Sequence, residues 1–421
     1  MAATEAGSVR SADWRGGFGR LWTAAVVSRL GDSLRTAAMP LLAASLTTQP
    51  LLIALVTACG YLPWLIFGLL GGAIADRVDQ RRAMWMVDLL RGALVAAFAV
   101  AVGVGHASIA LLIALAFALT TLQTLFDNAA TALLPSMVPA QSLGSANARL
   151  LTGQQIAGAF LAAPLVPVLL AGGAALPYVA DAVTYVLAAV LIASLRVSVP
   201  DRPPRAAGST LRGDIAAGLR VLWGDRALRG LCTATTLCNV GMGALIATLV
   251  LHVTGWLDAG NAGYALAVTA YGAGSVTGGL LAGRLSERFG RIRGIVGAGA
   301  MQIGCLLTMG TVRELWALAC GLAVFGFMGM VWNVNQVTLM QQRSPDSMLG
   351  RISSAFRTMT IAGAPLGAML GGAAAGAWGL NTPALLAAGL FVCAVASLLP
   401  LLRSTRLGGS GAGTQVREEV G

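Results

Sequence analysis

Charge is scarce in this sequence. Of its 421 residues only 11% are charged, lysine is missing altogether, and histidine occurs twice. Roughly a quarter of an ordinary soluble domain is charged, so a purely soluble fold is excluded. Signatures of nucleotide and hydrolytic chemistry are missing too. There is no Gly-Lys-Ser phosphate loop and no His-Glu-x-x-His pair, and His106 and His252 stand alone at expected outer loops. An intramembrane protease or transferase is left without its reacting groups, and the chain reads as no enzyme. Cys59, Cys232, Cys238, Cys305, Cys320 and Cys393 all fall inside apolar stretches without metal-ligand spacing. They read as helix-packing residues, so no disulfide, metal or cofactor is expected. The N-terminus is polar through Arg20, so no cleavable signal peptide is expected.

What is present is apolar and small. The hydrophobic share is 57%, glycine occurs 54 times and mean hydropathy is +0.77. That is the composition of membrane helices packed through small residues. A spanning helix needs about 20 mostly apolar residues. Twelve such stretches begin near residues 18, 51, 83, 107, 150, 175, 229, 262, 292, 314, 352 and 379. The net charge of +11 is spread over short loops between them and forms no basic module, which argues against nucleic acid. With the N-terminus in the cytoplasm, nearly all arginines fall on the inner side and only Arg313 on the outer. This positive-inside asymmetry, with an even number of spans, puts both termini in the cytoplasm.

The second half repeats the first. Gly72-Ala-Ile-Ala-Asp76-Arg77 reappears as Gly283-Arg-Leu-Ser-Glu287-Arg288, displaced by 211 positions in a chain of 421. Pro139-Ala-Gln-Ser-Leu143-Gly144 reappears as Pro345-Asp-Ser-Met-Leu349-Gly350, displaced by 206. The expected fold is an all-α polytopic membrane protein of 12 transmembrane helices in two six-helix bundles related by pseudo-two-fold symmetry. The bundles span 1–196 and 229–402. Between them, 197–228 is a cytoplasmic linker, where Leu211, Ile215, Leu219, Leu222 and Trp223 predict an amphipathic helix on the inner leaflet. Residues 403–421 form a Gly-rich tail expected to be disordered.

Ionisable residues inside a span are costly and face a cavity or a partner. Asp32 lies past the midplane of the first helix, roughly 20 Å from its start, with Arg35 on the same face. The pair either binds substrate or a proton, or ties helices together. Asp181, one turn into the sixth helix, is a proton site near the outer mouth or a bridge. Gln123, Asp127 and Asn128 end the fourth helix, and Asn333, Asn335 and Gln336 end the tenth. Asp127 displaced by 206 is Asn333, so these are equivalent positions. They meet a ligand or bond adjacent helices. Arg357 in the eleventh helix lines the cavity or snorkels inward. On the inner loop, Asp76, Arg77, Asp79, Arg81 and Arg82, with Asp88 and Arg91 a little further on, read as an ionic gate latch. Ordinary positive-inside anchoring explains the arginines but not the acids.

These motifs resemble the major facilitator superfamily. Its inner-loop signature, Gly-x-x-x-Asp-Arg-x-Gly followed by basic residues, stands here as Gly72 to Arg82 with Asp79 in place of the second glycine, and the second copy keeps that glycine as Gly290. Ser28-Arg29-Leu30-Gly31-Asp32, Asp88-Leu-Leu-Arg91, Phe126-Asp127-Asn128 and Leu134-Pro135-Ser136-Met137-Val138-Pro139 are similar to the exporter branch containing the enterobactin exporter and macrolide efflux proteins. The drug antiporters' Gly-Pro-x-x-Gly-Gly in helix five reads Gly158-Ala159-Phe-Leu-Ala162 here. The resemblance implies a monomeric exporter in a bacterial cell membrane, working by alternating access. Its partners are an amphipathic small molecule, protons and membrane lipids. An importer, or a non-transporting membrane sensor or assembly protein, remains the alternative.

The topology is directly testable. A single cysteine replacing Arg205 in a Cys-free background should react with an impermeant maleimide only after the cells are opened. Labelling of intact cells would reverse the assigned orientation.

Overall fold

The computed structural model describes residues 17–75, 79–133, 137–138, 143–195, 211–345 and 348–409. Among them there are helices and no strands. The first half contributes α1 (Gly17–Leu46), α2 (Pro50–Ala75), α3 (Gln80–Gly103) and α4 (Ile109–Leu133). Then α5 (Leu143–Ile156) runs through a π-helical stretch, Ala157–Ala162, into α6 (Ala163–Gly172), and α7 (Leu176–Ala193) follows. A short α8 (Leu211–Gly224) precedes α9 (Arg226–Leu251), which continues as a π-helical turn, His252–Trp256. The second half closes with α10 (Gly260–Phe289), α11 (Arg291–Thr311), α12 (Leu315–Arg343), α13 (Leu349–Trp378) and α14 (Thr382–Gly409).

The helices begin within about three residues of the starts read from apolar content, except α5, which starts at Leu143 instead of near 150. Its first turns carry Ser145, Asn147 and Arg149, which apolar content does not recognise as helix. Among the described residues, nine helices are long and apolar enough to cross a membrane: α3, α4, α7 and α9 through α14. The expected count of twelve is not reached on length and apolarity alone. The reason for α1 is physical, since it carries Arg29, Asp32 and Arg35 in its middle. The π-helical stretch divides the fifth span, at the position where Gly158-Ala159 replaces the antiporters' glycine-proline pair.

The chain divides into two compact units, residues 1–42 with 63–205, and residues 43–62 with 206–421. The break falls inside the expected linker. Residues 43–62, however, group with the second unit, because Ala54 and Ala58 form a small-residue cluster with Ala247 and Ala368. The amphipathic helix expected in the linker is α8, and it does not simply lie free. Gly218 sits against the backbone of Arg351 in α13, and Leu222 is fully buried, while Trp223 stays exposed.

The sequence repeat is a repeat of packing. In the first unit α3 packs on α4 and α7; in the second, α11 packs on α12 and α14. Small residues set the closest approaches. On α13, Gly363, Gly367 and Gly371 meet Thr236, Val240 and Ala244 of α9, a spacing of four matched on both helices. Without a hydrophobic driving force between helices in lipid, such backbone-to-backbone contact is what holds them together.

A side chain at Gly367 would run into the backbone carbonyl of Val240. Overpacking of this kind costs about 1–3 kcal/mol. Gly367→Leu should therefore lower the melting temperature of the purified protein by several degrees, while Gly304→Ala, where nothing lies within 4 Å of an added Cβ, should not. Equal thermal stability of the two variants would show that the α9–α13 contact is not tight.

Candidate functional site

The first unit buries a cluster of charges contributed by three helices. Asp32 and Arg35 come from the middle of α1, Asp88 and Arg91 from α3, and Asp181 and Tyr185 from α7. Each helix supplies its pair at a spacing of three or four, which puts both side chains on one face. Arg35 Nη2 donates to Asp32 Oδ1 at 2.8 Å and Arg35 Nε donates to Asp181 Oδ2 at 2.8 Å. Arg91 Nη2 donates to both oxygens of Asp32, at 3.0 and 3.3 Å, and Arg91 Nη1 donates to Asp88 Oδ1 at 3.4 Å. The Tyr185 hydroxyl donates to Asp32 Oδ1. Its ring lies under the Arg91 guanidinium, with Cζ 4.2 Å from the centroid.

Burial is nearly complete. The side chains of Asp88 and Asp181 are 0% exposed and that of Arg91 is 1%. Asp32 therefore has three donors, and the two arginines bridge the three helices. Asp88 Oδ2, Asp181 Oδ1 and the Tyr178 hydroxyl are buried without a hydrogen-bond partner. Gly31 makes the approach of α1 to α7 possible: a Cβ there would collide with Thr184 Oγ1 and stand 2.5 Å from Asp181 Oδ1.

This arrangement revises the sequence reading in two places. Asp32 and Arg35 are not an isolated pair, because Asp32 is equally bound by Arg91. Asp181, read as a proton site or a bridge, does bridge helices, since Arg35 of α1 holds it. Asp88 and Arg91, read as part of the inner-loop latch, lie two to three turns into α3 and join the buried cluster instead. Tyr185 was missed altogether. Its signal was its position four residues after Asp181 on a strongly apolar helix.

Of the remaining described loop residues, Asp79 caps a helix and Arg82 is exposed. Asp79 is the N-cap of α3, its Oδ1 accepting from Arg82 N–H at 3.0 Å, and it makes a loose ion pair to exposed Arg82 at 3.9 Å. The equivalent N-cap of α11 is Gly290, at φ 79°. The departure from the signature thus exchanges a glycine that turns the chain for an aspartate that caps the helix. Arg81 donates to the carbonyl of Ala193 at the end of α7. Gly283, Glu287 and Arg288 are exposed near the end of α10. Asp76 and Arg77 lie outside the described residues, as do the surroundings of Gly72 and the side chain of Asn128. Gln123 Nε2 donates to Asp127 Oδ1 at 2.7 Å along α4.

The second unit holds a cavity of about 510 Å³, a size suited to a drug-sized molecule. Asn333, Gln336 and Arg357 line it, as do Asn239 and Gln302, which the sequence reading did not single out. Asn239 Nδ2 donates to Thr360 O at 2.9 Å and Gln302 Nε2 to Phe325 O at 3.2 Å. The apolar wall is aromatic: Phe325, Trp332, Phe356 and Phe391. Asn335 is not in the cavity. It is fully buried, donates to Val331 O at 2.8 Å and abuts Gly294 of α11. Two of three neighbouring amides therefore line the cavity, and the third packs against α11.

Apolar helices of membrane-spanning length, a packing scheme repeated in both halves and buried charge inside the helices define a polytopic helical membrane protein. The nucleoside transporter NupG (D323A mutant) superposes with a TM-score of 0.78 over 91% of this chain and 99% of that one, at 10% identity, which establishes the major facilitator fold. The family model described as transmembrane secretion effector matches residues 14–410, and the chain belongs to that family. Among relatives, macrolide efflux protein A of Streptococcus pyogenes is 23% identical, covering 94% of this chain and 98% of its own. Enterobactin exporter EntS of Salmonella typhi is 27% identical, covering 72% of each.

Removing one partner of a buried ion pair leaves an uncompensated charge, at a cost of about 3–5 kcal/mol. Arg91→Met should lower the protein's melting temperature sharply, and adding Asp32→Asn to it should restore part of the loss. If the double variant is no more stable than Arg91→Met alone, the two side chains do not depend on each other.

Proposed function

We propose that the protein is a proton-coupled secondary exporter of an amphipathic small molecule: a drug, a siderophore or another secondary metabolite. Relatives named as a macrolide efflux protein and an enterobactin exporter support export as the direction. The cavity of the second unit supports a cargo with an aromatic or aliphatic body and several hydrogen-bonding groups. In this reading the protein works as a monomer in the bacterial plasma membrane, with both termini in the cytoplasm. The inner-loop charges, Asp76, Arg77, Asp79, Arg81 and Arg82, with Gly72 and the second copy at Gly283, Glu287 and Arg288, act at the gate.

The observation that carries the coupling is a charge count. Three carboxylates, Asp32, Asp88 and Asp181, face two guanidiniums, Arg35 and Arg91. One negative charge is left over in a site that excludes water, where an unpaired charge is expensive. A proton cancels it. Asp32 already has three donors, so the proton binds at one of the two partnerless oxygens, Asp88 Oδ2 or Asp181 Oδ1. A shift of α1 against α3 or α7 within the first unit changes which carboxylates the arginines reach. The proton is then taken up from one side and released to the other, and cargo moves against it.

The test is uphill export against downhill exchange in proteoliposomes with an imposed pH gradient. Each of Asp32→Asn, Asp88→Asn and Asp181→Asn removes the surplus charge. Each should reduce uphill export by more than ten-fold while exchange without a gradient continues, and Asp32→Asn should in addition destabilise the protein. Normal uphill export by all three variants would move the coupling site elsewhere, with Asp127 the next carboxylate to test.

A further inference from the structure

Arg29 is a charge inside a span that the buried cluster leaves out. It lies on α1 about 18 Å from the start of the helix, more than three turns from either end. Its side chain is exposed and makes no hydrogen bond or ion pair among the described residues. Asp32, three residues further on, takes its donors from Arg35, Arg91 and Tyr185 instead. A guanidinium exposed to lipid at that depth would be very costly, and the helix ends are too far away for it to snorkel. The face of α1 that carries Arg29 therefore borders a space that holds water or a ligand.

The repeat says what kind of face this is. Gly31 of α1 is pressed on Asp181 of α7, and Gly241 of α9 on Ala387 of α14. Ser33 stands opposite Gly158, in the π-helical stretch that continues α5, and Gly243 stands opposite Ala364 of α13. Both contacts match α1 to α9 at a displacement of 210, and the helices they touch at 206. At that register Arg29 corresponds to Asn239, and Gln154 of α5 to Thr360 of α13. Asn239 and Thr360 both line the cavity of the second unit, where Asn239 Nδ2 donates to Thr360 O. Arg29 leans on the same side of its own unit, its Nε 3.7 Å from where a Cβ on Gly158 would stand. Gln154 is half-buried, and its side chain makes no hydrogen bond among the described residues.

Resting on the export reading, we propose that Arg29 is the cargo-recognition residue of the first unit, and that the cargo carries an anionic oxygen group, such as a carboxylate, on its apolar body. The guanidinium offers a planar fork of donors that fits a carboxylate with two parallel bonds. The amide of Gln154 supplies a neutral second contact. An anion at this position offsets a positive charge that the protein leaves unpaired, and a cation would add to it. Coupling then belongs to the buried interior of the first unit, and cargo recognition to its exposed face.

Two fluorophores that share a xanthene ring test this: fluorescein, which carries a free carboxylate, and rhodamine 6G, a cation whose carboxyl group is esterified. Their binding to the purified full-length protein in nanodiscs is read by fluorescence anisotropy against empty nanodiscs. Fluorescein should bind at least about ten-fold tighter than rhodamine 6G. Arg29→Gln keeps hydrogen-bonding groups and removes the charge, and should weaken fluorescein by about ten-fold without weakening rhodamine 6G. Arg29→Lys keeps the charge without the fork and should fall between the two. Gln154→Leu should weaken fluorescein by a few-fold. Because Arg29 is exposed and ties no helices together, Arg29→Gln should keep the wild-type melting temperature. Fluorescein binding unchanged in Arg29→Gln, no binding of fluorescein, rhodamine 6G bound as tightly by the wild type, or a melting temperature lowered by Arg29→Gln would each overturn the proposal. Uphill transport in proteoliposomes separates this from the export reading. Export of rhodamine 6G that ignores Arg29 keeps the exporter and removes the anion selectivity. Arg29-dependent binding of fluorescein without any transport keeps the site and removes the exporter.

Discussion

The buried contact between Asp32, Arg35 and Arg91 is the interaction on which the first unit depends. Two arginines and three aspartates sit inside helices that otherwise suit lipid, and none of them is tolerable there alone. Arg35 joins α1 to α7 through Asp181, and Arg91 joins α3 to α1 through Asp32. Because each arginine serves two carboxylates, removing either arginine strands a carboxylate. The helices are brought close enough by small residues, Gly31 against α7 and Gly92 against Tyr185. Buried ion pairs seldom add much stability compared with apolar packing. Their use here is geometric: they fix which faces of three helices meet, and they can exchange partners when those helices move.

The two units share a packing scheme and differ in how they use it. In both, the third helix packs on the fourth and the sixth. The first unit fills its polar interior with a charge cluster of three carboxylates and two arginines. The second holds neutral amides, aromatic rings and one arginine around a cavity. The paired positions Asp127 and Asn333 follow the same division, since Asp127 bonds within its own helix and Asn333 lines the cavity. We read this as a division of labour between energy coupling and cargo binding. Even the departure at Asp79 preserves the scheme, because a capping carboxylate starts α3 where a positive-φ glycine starts α11.

Much of this was legible in the sequence. Apolar runs located the helices, and the 211-residue displacement revealed the two halves. The start of α5 was obscured by its polar first turns. Charge inside spans pointed to Asp32, Arg35 and Asp181 as functional, since membrane burial makes each such residue conspicuous. What sequence spacing does not contain is which charges on different helices meet. Arg91 lies 59 positions from Asp32 and Tyr185 lies 153 from it, and both touch the same carboxylate. Asp88 and Arg91 therefore looked like the continuation of a loop motif nearby in sequence.

The central claim is that the α1–α3–α7 cluster carries one surplus carboxylate that holds a proton. Infrared difference spectroscopy of the purified protein reads this without any assumption about cargo, because a protonated carboxylic acid has a carbonyl stretch that an ionised one lacks. The account predicts one such buried carboxylic-acid band per chain at neutral pH, lost in Asp88→Asn or in Asp181→Asn. A wild-type spectrum with no carboxylic-acid band, or one unchanged in both variants, would contradict it.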